Sequence, residues 1–289
     1  MNPRPDRMTL AIPNKGRLVA PTLELLHAAG LVFEERDRSL VAHAENVPLD
    51  ILFVRTGDVV EFVRDRVADV GITGADLLEE TGIALPVVRE LGYGRCRLAA
   101  AVQNGSDVTE LAGLAGLRVA TSHPNAVRAW SASAGIPVEV VPLSGAVEVA
   151  PRFGLADAIV DLVSTGETLA ANGLREVGDI LASQAVLVRS PGDGAVRAEE
   201  IDRLSTMLGA VLEGRKRKYL MMNARAEMLD ELEALLPGLA GPSVIPLAHE
   251  GMIAIHAVVG ADDVWDLLPR LKGAGATGIL IVPIEKLIA

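Results

Sequence analysis

The sequence predicts an α/β fold with two open-sheet lobes, followed by a separate C-terminal domain of ferredoxin-like order. Through the first two-thirds of the 289 residues, apolar runs of strand length alternate with helix-length segments. Uninterrupted apolar strands separated by helices are typical of parallel sheets that are covered on both faces. After Gly214 the pattern changes to β-α-β-β-α-β, which is the ferredoxin-like order.

The predicted elements of the first two-thirds are short and bounded by polar or glycine-containing turns. Helices are expected over Leu18–Ala29, Gly57–Val67, Asn125–Ala134 and Thr165–Asn172. The predicted strands are Met8–Ile12, Leu49–Val54, Asp69–Thr73, Cys96–Val102, Leu117–Thr121, Val138–Pro142, Ala156–Val163 and Ala185–Arg189. This alternation indicates layers of helices on open sheets.

Two interruptions, at Gly92–Arg97 and Ser190-Pro191-Gly192, suggest how the chain is divided. We expect a bilobed catalytic region over residues 1–214. Lobe I would combine about 1–96 with 186–214, and lobe II would cover about 97–185, with ligands bound between them. Residues 215–289 would form the third domain, from the elements Tyr219–Met222, Ala226–Leu236, Val244–Leu247, Ile253–Val259, Asp262–Lys272 and Gly278–Ile284.

Composition narrows the functional classes. Half of the residues are hydrophobic and 22% are charged, as in a packed globular protein. A net charge of −11 argues against nucleic acid as the main partner, so the basic run Arg215–Lys218 is interpreted as a solvated linker. The single cysteine, Cys96, allows no intrachain disulfide and is expected in the core. With no signal peptide and no apolar stretch near ~20 residues, we expect a cytoplasmic protein without a membrane partner.

The strongest chemical signal is the predicted strand Ala156–Val163 and the turn after it. Asp157 and Asp161 share one face of that strand, and Asp161 lies near its carboxyl end, where open α/β sheets bind ligands. A carboxylate there can accept hydrogen bonds from ribose hydroxyls. The next residues, Ser164, Thr165, Gly166, Glu167 and Thr168, offer hydroxyls and backbone N–H groups at a helix start, which suits a phosphate. The alternative is an ordinary N-capped helix.

A second signal is Pro13-Asn14-Lys15-Gly16-Arg17, again between a strand and a helix. Lys15 is the only lysine before Lys216, and a compact ammonium group suits a phosphate. The alternative is a surface turn.

Two further strand ends carry polar groups. Asp76 follows Thr73-Gly74 in the first turn of a helix, where an acid also serves to stabilise the helix. His123 lies in the turn Thr121–Asn125; because the sequence shows no orienting partner, we expect a contact or capping residue rather than a base. No zinc spacing, dinucleotide-binding motif or Walker loop is present in the sequence.

Together these segments resemble the long form of ATP phosphoribosyltransferase over nearly the whole chain. The resemblance is carried by Pro13–Arg17, Gly71–Leu78, Ala120–Asn125, Gly145–Glu148, Gly154–Leu169, Ala171–Leu174 and Gly278–Lys286. It implies catalytic lobes like type II periplasmic binding proteins and a regulatory ferredoxin-like (ACT-like) domain. It also implies homo-oligomers, as dimers that assemble into hexamers.

The resemblance also implies roles for particular residues. Asp161 and Ser164–Thr168 would hold the ribose and 5-phosphate of phosphoribosyl pyrophosphate. The nucleotide or pyrophosphate would be bound by Lys15, Arg17, Arg55, Asp76 and Glu148. Histidine, as an inhibitor, would bind the third domain at Asn223, Leu239, Gly241, Ser243 and Gly278, although an aspartate is expected in place of Asn223.

The implied reaction joins N1 of the ATP adenine to C1 of the ribose and releases pyrophosphate, with Mg²⁺ carried mainly on substrate phosphates. Positioning and charge stabilisation would supply the catalysis, and no general base is assigned. Two alternatives remain. A type I purine or pyrimidine phosphoribosyltransferase usually has adjacent acids before its loop, whereas Leu162 follows Asp161 here. The other alternative is a non-enzymatic bilobed solute-binding protein. The absence of a signal peptide and the presence of the third domain both count against it.

Overall fold

A computed structural model describes residues 6–34, 39–192, 197–236 and 241–288. The chain forms two compact units, one of residues 1–24 and 31–201 and the other of residues 25–30 and 202–289. No helix in the described ranges is long and apolar enough to cross a membrane.

Strands and helices alternate through much of the chain up to residue 215, as predicted, but the helix Ala198–Arg215 was not predicted. The helices are α1 (Val19–Ala28), α2 (Asp58–Arg64), α3 (Ala75–Thr81), α4 (Pro124–Ala134), α5 (Glu167–Ala171) and α6 (Ala198–Arg215). The strands are β1 (Met8–Pro13), β2 (Val41–His43), β3 (Leu49–Val54), β4 (Val70–Gly74), β5 (Val87–Glu90), β6 (Cys96–Gln103), β7 (Arg118–Thr121), β8 (Glu139–Pro142), β9 (Ala158–Val163), β10 (Leu174–Ser183) and β11 (Ala185–Arg189).

The first sheet has the order β2-β3-β1-β4-β11-β5. Strands β3, β1 and β4 are parallel, so their carboxyl ends lie at one edge. Most of their apolar side chains are buried, and Leu10, Ile51 and Ile72 are completely so. Burial on both faces explains why these strands appear in the sequence as continuous apolar runs.

The second sheet has the order β10-β6-β9-β7-β8, and its parallel strands are β9, β7 and β8. Both sheets are mixed rather than wholly parallel. Strand β6 runs antiparallel to β9, and β11 runs antiparallel to β4. The chain passes from the first sheet to the second between β5 and β6 and returns between β10 and β11, and the strands at these passages pair antiparallel; β2 and β3 also pair antiparallel. Cys96, at the start of β6, is a buried free thiol.

The C-terminal domain has the predicted β-α-β-β-α-β order, and the fold class is confirmed. Its sheet is antiparallel, in the order β13-β14-β12-β15. Leu220, Ile255 and Leu271 are completely buried in its core. The elements are β12 (Arg217–Arg225), α7 (Leu229–Leu235), β13 (Ser243–Pro246), β14 (Met252–Gly260), α8 (Val264–Gly273) and β15 (Thr277–Pro283).

Three strands were not predicted: β2, β5 and β10. Each lies at an edge of a sheet, where half-exposed positions weaken the apolar pattern. Strand β10 is also interrupted by two register shifts, between Glu176 and Gly178 and between Asp179 and Leu181. The proposed boundaries of the lobes stay a prediction. The first sheet contains β1–β5 and β11, and the second contains β6–β10.

Gly71 on β4 tests how closely α2 packs on the first sheet. A Cβ atom at Gly71 would lie 2.7 Å from Cγ2 of Val63 and 2.8 Å from Cγ1 of Val59, both fully buried. We therefore expect Gly71→Ala to lower the free energy of unfolding by about 1–3 kcal/mol, as overpacking does. Gly57→Ala is the control, because nothing lies within 4 Å of its Cβ position. Urea unfolding of both variants checks this, and an equal effect would contradict the packing argument.

Candidate active site

The predicted site residues collect at the carboxyl edges of the two sheets. In the first sheet, Lys15 and Arg17 follow β1, Arg55 follows β3 and Asp76 follows β4. In the second sheet, His123 follows β7, while Asp161 lies in β9 and the segment Ser164–Thr168 comes directly after it. The two edges meet where Nε2 of His123 lies 3.4 Å from Oδ2 of Asp76.

Asp76 is the most enclosed acid of this site, with 2% of its surface exposed. The Ser183 hydroxyl donates to Oδ1 of Asp76 and accepts from its backbone N–H at 3.0 Å. The Arg17 guanidinium lies 3.5 Å from the same Oδ1 atom. Burial by itself would raise the pKa of Asp76, but hydrogen bonds from His123 and Ser183 and the charge of Arg17 lower it below its ordinary value. Asp76 is therefore held as a carboxylate.

His123 has partners in both sheets. Its Nδ1 atom lies 2.9 Å from Oγ of Ser122, and that hydroxyl donates to Oδ1 of Asp161 at 3.2 Å. His123 occupies the N-cap position of α4, but its side chain makes no capping hydrogen bond. The sequence showed no orienting partner for His123, whereas in the structure Asp76 and Ser122 contact its two ring nitrogens.

Asp161 is a partly buried carboxyl group on β9. The backbone N–H of Leu162 donates to its Oδ1 atom at 2.9 Å. Burial raises the pKa of Asp161 above its ordinary value, and Glu148 adds to the rise, although Leu162, Ser122 and His123 act against it. Glu148 therefore acts on Asp161 electrostatically, from the short helical turn Val147–Val149. Asp157 differs: it is exposed and pairs with Arg118 at 3.2 Å, which is a structural contact.

The loop after β9 is open to solvent. Ser164, Thr165, Glu167 and Thr168 are exposed, and Gly166 caps α5 with φ +82°, a conformation that strains any side chain. A Cβ atom at this glycine would meet the Glu176 carboxylate at 2.9 Å, and Glu176 is paired with Arg97. The pairing with Arg97 offsets a negative charge that would otherwise repel an anion at the loop.

The cations of the first sheet are more exposed than Asp76. Lys15 and Arg55 are exposed, and the Lys15 carbonyl accepts a hydrogen bond from the Thr56 hydroxyl at 3.1 Å. Arg17 keeps 35% of its side-chain surface exposed although it contacts Asp76. Exposed ammonium and guanidinium groups on one edge can pair with an incoming polyphosphate.

Sequence reasoning missed Glu80 on α3. Its carboxylate accepts from the backbone N–H groups of Asn125 and Ala126, at 2.9 and 3.0 Å, and its carbonyl accepts from the Asn125 side chain at 3.0 Å. These amides belong to the first turn of α4, so Glu80 supplies the cap that His123 does not. Forty-five residues separate Glu80 from Asn125, and no local pattern could reveal the contact.

The predicted effector residues lie in the C-terminal domain, apart from Leu239, which is outside the described residues. Asn223 on β12 and Thr277 on β15 are paired across the sheet. A Cβ atom at Gly278, whose φ is +58°, would lie 3.4 Å from Nδ2 of Asn223. Ser243 is exposed on β13, and Gly241 precedes that strand with φ +85°. The structure therefore places Asn223 and Gly278 together.

An acid beside a hydroxyl-rich loop suits a ribose phosphate, and three cations on the opposing edge suit a polyphosphate. The fold and the site thus describe a transferase core that handles phosphorylated ribose. A family model described as ATP phosphoribosyltransferase matches residues 55–210, and the model of that family's C-terminal domain matches residues 214–286.

Relatives of similar length agree with the family models. The ATP phosphoribosyltransferase of Gemmatimonas aurantiaca is 45% identical and covers 97% of this chain and 99% of the relative. That of Methanococcoides burtonii is 41% identical, over 96% of this chain and 99% of the relative. A chain of the Thermotoga maritima ATP phosphoribosyl transferase (HisG:HisZ) complex is 30% identical, with a TM-score of 0.63 over 71% of this chain and 98% of that chain.

This chain belongs to the ATP phosphoribosyltransferase family. It is a pentosyltransferase of the first step of histidine biosynthesis, as its motifs indicated. Membership of this family removes both alternatives, the type I phosphoribosyltransferase and the solute-binding protein.

The cap formed by Glu80 gives a test of how α3 holds α4. Glu80→Ala removes an acceptor from two helix N–H groups, so we expect the free energy of unfolding to fall by about 0.5–2 kcal/mol. Glu79→Ala is the matched control, since that neighbouring side chain is exposed. Urea unfolding followed by circular dichroism measures both changes. Indistinguishable variants would show that the cap contributes no stability.

Proposed function

We propose that the two edges bind phosphoribosyl pyrophosphate and ATP and transfer the phosphoribosyl group to N1 of the adenine, releasing pyrophosphate. Ribose and 5-phosphate would bind at Asp161 and Ser164–Thr168. The nucleotide or pyrophosphate would bind at Lys15, Arg17, Arg55, Asp76 and Glu148. The observation that carries this assignment is Asp161, a partly buried carboxyl group at the carboxyl end of β9, directly followed by an exposed loop of hydroxyl side chains.

The proposed chemistry forms the bond from N1 to C1 and breaks the bond from C1 to the pyrophosphate oxygen. Displacement at C1 builds positive charge on the ribose ring, which the ionised Asp161 carboxylate stabilises. Negative charge builds on the departing pyrophosphate, and Lys15, Arg17 and Arg55 stabilise it. Adenine N1 is already nucleophilic, so the protein needs to supply no covalent nucleophile.

Mg²⁺ is the proposed metal, bound chiefly by substrate phosphates and water. In the described ranges, no three His, Cys, Asp or Glu side chains are grouped as a metal site. A cation that keeps several waters and substrate oxygens as its ligands needs no such cluster of protein side chains. When bound, Mg²⁺ would neutralise charge on the pyrophosphate leaving group.

Asp161→Asn tests the assignment of the ribose site. The variant should release pyrophosphate from ATP and phosphoribosyl pyrophosphate about 10²-fold or more slowly than the wild type, because it lacks the charge that opposes the cationic ribose. Folding raises the pKa of Asp161, so ionisation destabilises the native protein as the pH rises through that value. The variant should therefore be more stable than the wild type at neutral pH, and the difference should vanish below the ordinary pKa of 3.8.

Asp157→Asn is the control, at the residue directly before β9. Its partner Arg118 lowers the pKa of Asp157, so the charge favours folding and its loss should not stabilise the protein. Activity should be retained. Loss of activity in both variants, or retention in both, would contradict the ribose assignment.

Control by histidine is proposed for the C-terminal domain, with Asn223, Leu239, Gly241, Ser243 and Gly278 as its site. We expect histidine to inhibit without competing with phosphoribosyl pyrophosphate. Such control requires the effector to favour one global state. We also propose that the chain forms homo-oligomers, as dimers or hexamers. Its proposed location is the cytoplasm.

Asn223→Asp tests the effector site. An aspartate adds a charge opposite the amino group of histidine, so the concentration for half inhibition should fall by about tenfold, or ~1.4 kcal/mol. Asn104→Asp, an exposed change in the first unit, should leave inhibition unaltered. Steady-state inhibition curves decide this. A wild type insensitive to histidine, or an equal response of both variants, would refute the site.

A further inference from the structure

Four side chains form a continuous polar chain from the first sheet to the second. Oδ2 of Asp76 lies 3.4 Å from Nε2 of His123, and Nδ1 of His123 lies 2.9 Å from Oγ of Ser122. Oγ of Ser122 lies 3.2 Å from Oδ1 of Asp161. Asp76 and His123 are 2% and 6% exposed, so water is largely excluded from the contact between them, and Ser122 and Asp161 are half-buried.

A count of hydrogens limits the protonation states of this chain. Three contacts need three hydrogens, one in each gap. An ionised carboxylate only accepts, a serine hydroxyl supplies one hydrogen, and a neutral imidazole supplies one. Two ionised carboxylates, one hydroxyl and one neutral imidazole therefore supply two hydrogens for three contacts. One further proton completes the set.

Because Arg17, Ser183 and His123 keep Asp76 ionised, the additional proton has two positions that satisfy every contact. In the first, His123 is an imidazolium that donates to Asp76 and to Ser122, while Ser122 donates to an ionised Asp161. In the second, a protonated Asp161 donates to Ser122, Ser122 donates to Nδ1 of a neutral His123, and Nε2–H of the ring still donates to Asp76. The two arrangements interconvert when two hydrogens shift across Ser122, with no change in the number of protons.

We propose that Asp161 and His123 share one proton through the Ser122 hydroxyl, and that binding of the ribose moves this proton onto His123. The inference rests on the proposed function, since it requires ribose hydroxyls at Asp161. Those hydroxyls donate most strongly to an ionised carboxylate. His123 is thus a positioning residue that keeps Asp161 ionised against the cationic ribose.

The charges around His123 determine whether the imidazolium is favoured. Asp76 faces Nε2 and favours it, whereas the burial of Asp161 and the nearby charge of Glu148 favour the proton on Asp161. Arg17 opposes the imidazolium through its contact with Asp76. The positive end of α4 also opposes it, but the Glu80 carboxylate on the amides of Asn125 and Ala126 offsets that end of the helix. Groups around the chain thus favour each of the two positions of the proton, so a ligand that binds at Asp161 can shift it.

Nitrogen NMR of the full-length protein with ¹⁵N-labelled histidine reads the proton directly. The chain has five histidines, so the His123 signal is assigned by its loss in His123→Gln. Phosphoribosyl pyrophosphate with Mg²⁺ and without ATP should shift His123 toward the imidazolium, in which both ring nitrogens carry hydrogen. Ser122→Ala should abolish this response. Ser133→Ala, an exposed change on α4 whose hydroxyl bonds to the Trp130 carbonyl, should keep it.

Calorimetry on the same samples tests the proposed function separately from the shared proton. Binding of phosphoribosyl pyrophosphate with no change at His123 would overturn the shared proton and leave the proposed function in place. An absence of binding would overturn the proposed function, and the shared proton with it. A full response in Ser122→Ala would show that Ser122 is not the connection.

The pH dependence of kcat/KM distinguishes the proposed role of His123 from a purely structural one. Glutamine at position 123 can donate to Asp76 but cannot take up the proton of Asp161. In His123→Gln, the acid limb of kcat/KM should move to higher pH, with a loss of about tenfold on the acid side for one pH unit of displacement. The alkaline plateau should change much less. A uniform loss at every pH would contradict the inference.

Discussion

The contact between Asp76 and the groups around it fixes the geometry of the site. Asp76 opens α3, whose first turn is held by the passage from β10 to β11: Ser183 bonds to Asp76, and the Gln184 carbonyl accepts from the Ala75 N–H at 3.0 Å. The same carboxylate reaches His123 on the second sheet. A buried carboxylate destabilises a protein unless it is paired and hydrogen-bonded. Moving either sheet edge would remove partners of Asp76 and so destabilise the native state. Positions of the other site residues depend on this constraint.

Two carboxyl groups of the site are placed in opposite electrostatic environments. Hydrogen bonds and Arg17 outweigh burial at Asp76 and lower its pKa, whereas burial prevails at Asp161 and raises its pKa. Such separation is how one site keeps one acid permanently ionised while another responds to its ligand. Asp76 can therefore anchor the ring of His123, and the ionisation of Asp161 is left to be set by what binds beside it.

Sequence reasoning located what depends on local pattern. Strands Leu49–Val54 and Ala185–Arg189 agree with the structure at both ends because each is a buried apolar run. The carboxyl-edge rule brought Lys15, Arg55, Asp76 and Asp161 to the two edges that meet. It could not find Ser183, which contacts Asp76 across 107 positions of sequence, or Glu80. Edge strands such as β10 were not predicted, because exposed positions and register shifts interrupt the apolar pattern from which a strand is recognised.

The position of His123 shows why such long-range partners matter for chemistry. As a lone histidine in a turn it carries no assignment, because its role is set by which atoms face its two nitrogens. Asp76 comes from α3 and Ser122 from the end of β7, and only the meeting of two sheets brings both to one ring. Two acceptors at the ends of a short hydrogen-bonded chain demand one more proton than neutral partners supply. The protonation of this site is therefore a property of the tertiary structure, and no single segment of the sequence contains it.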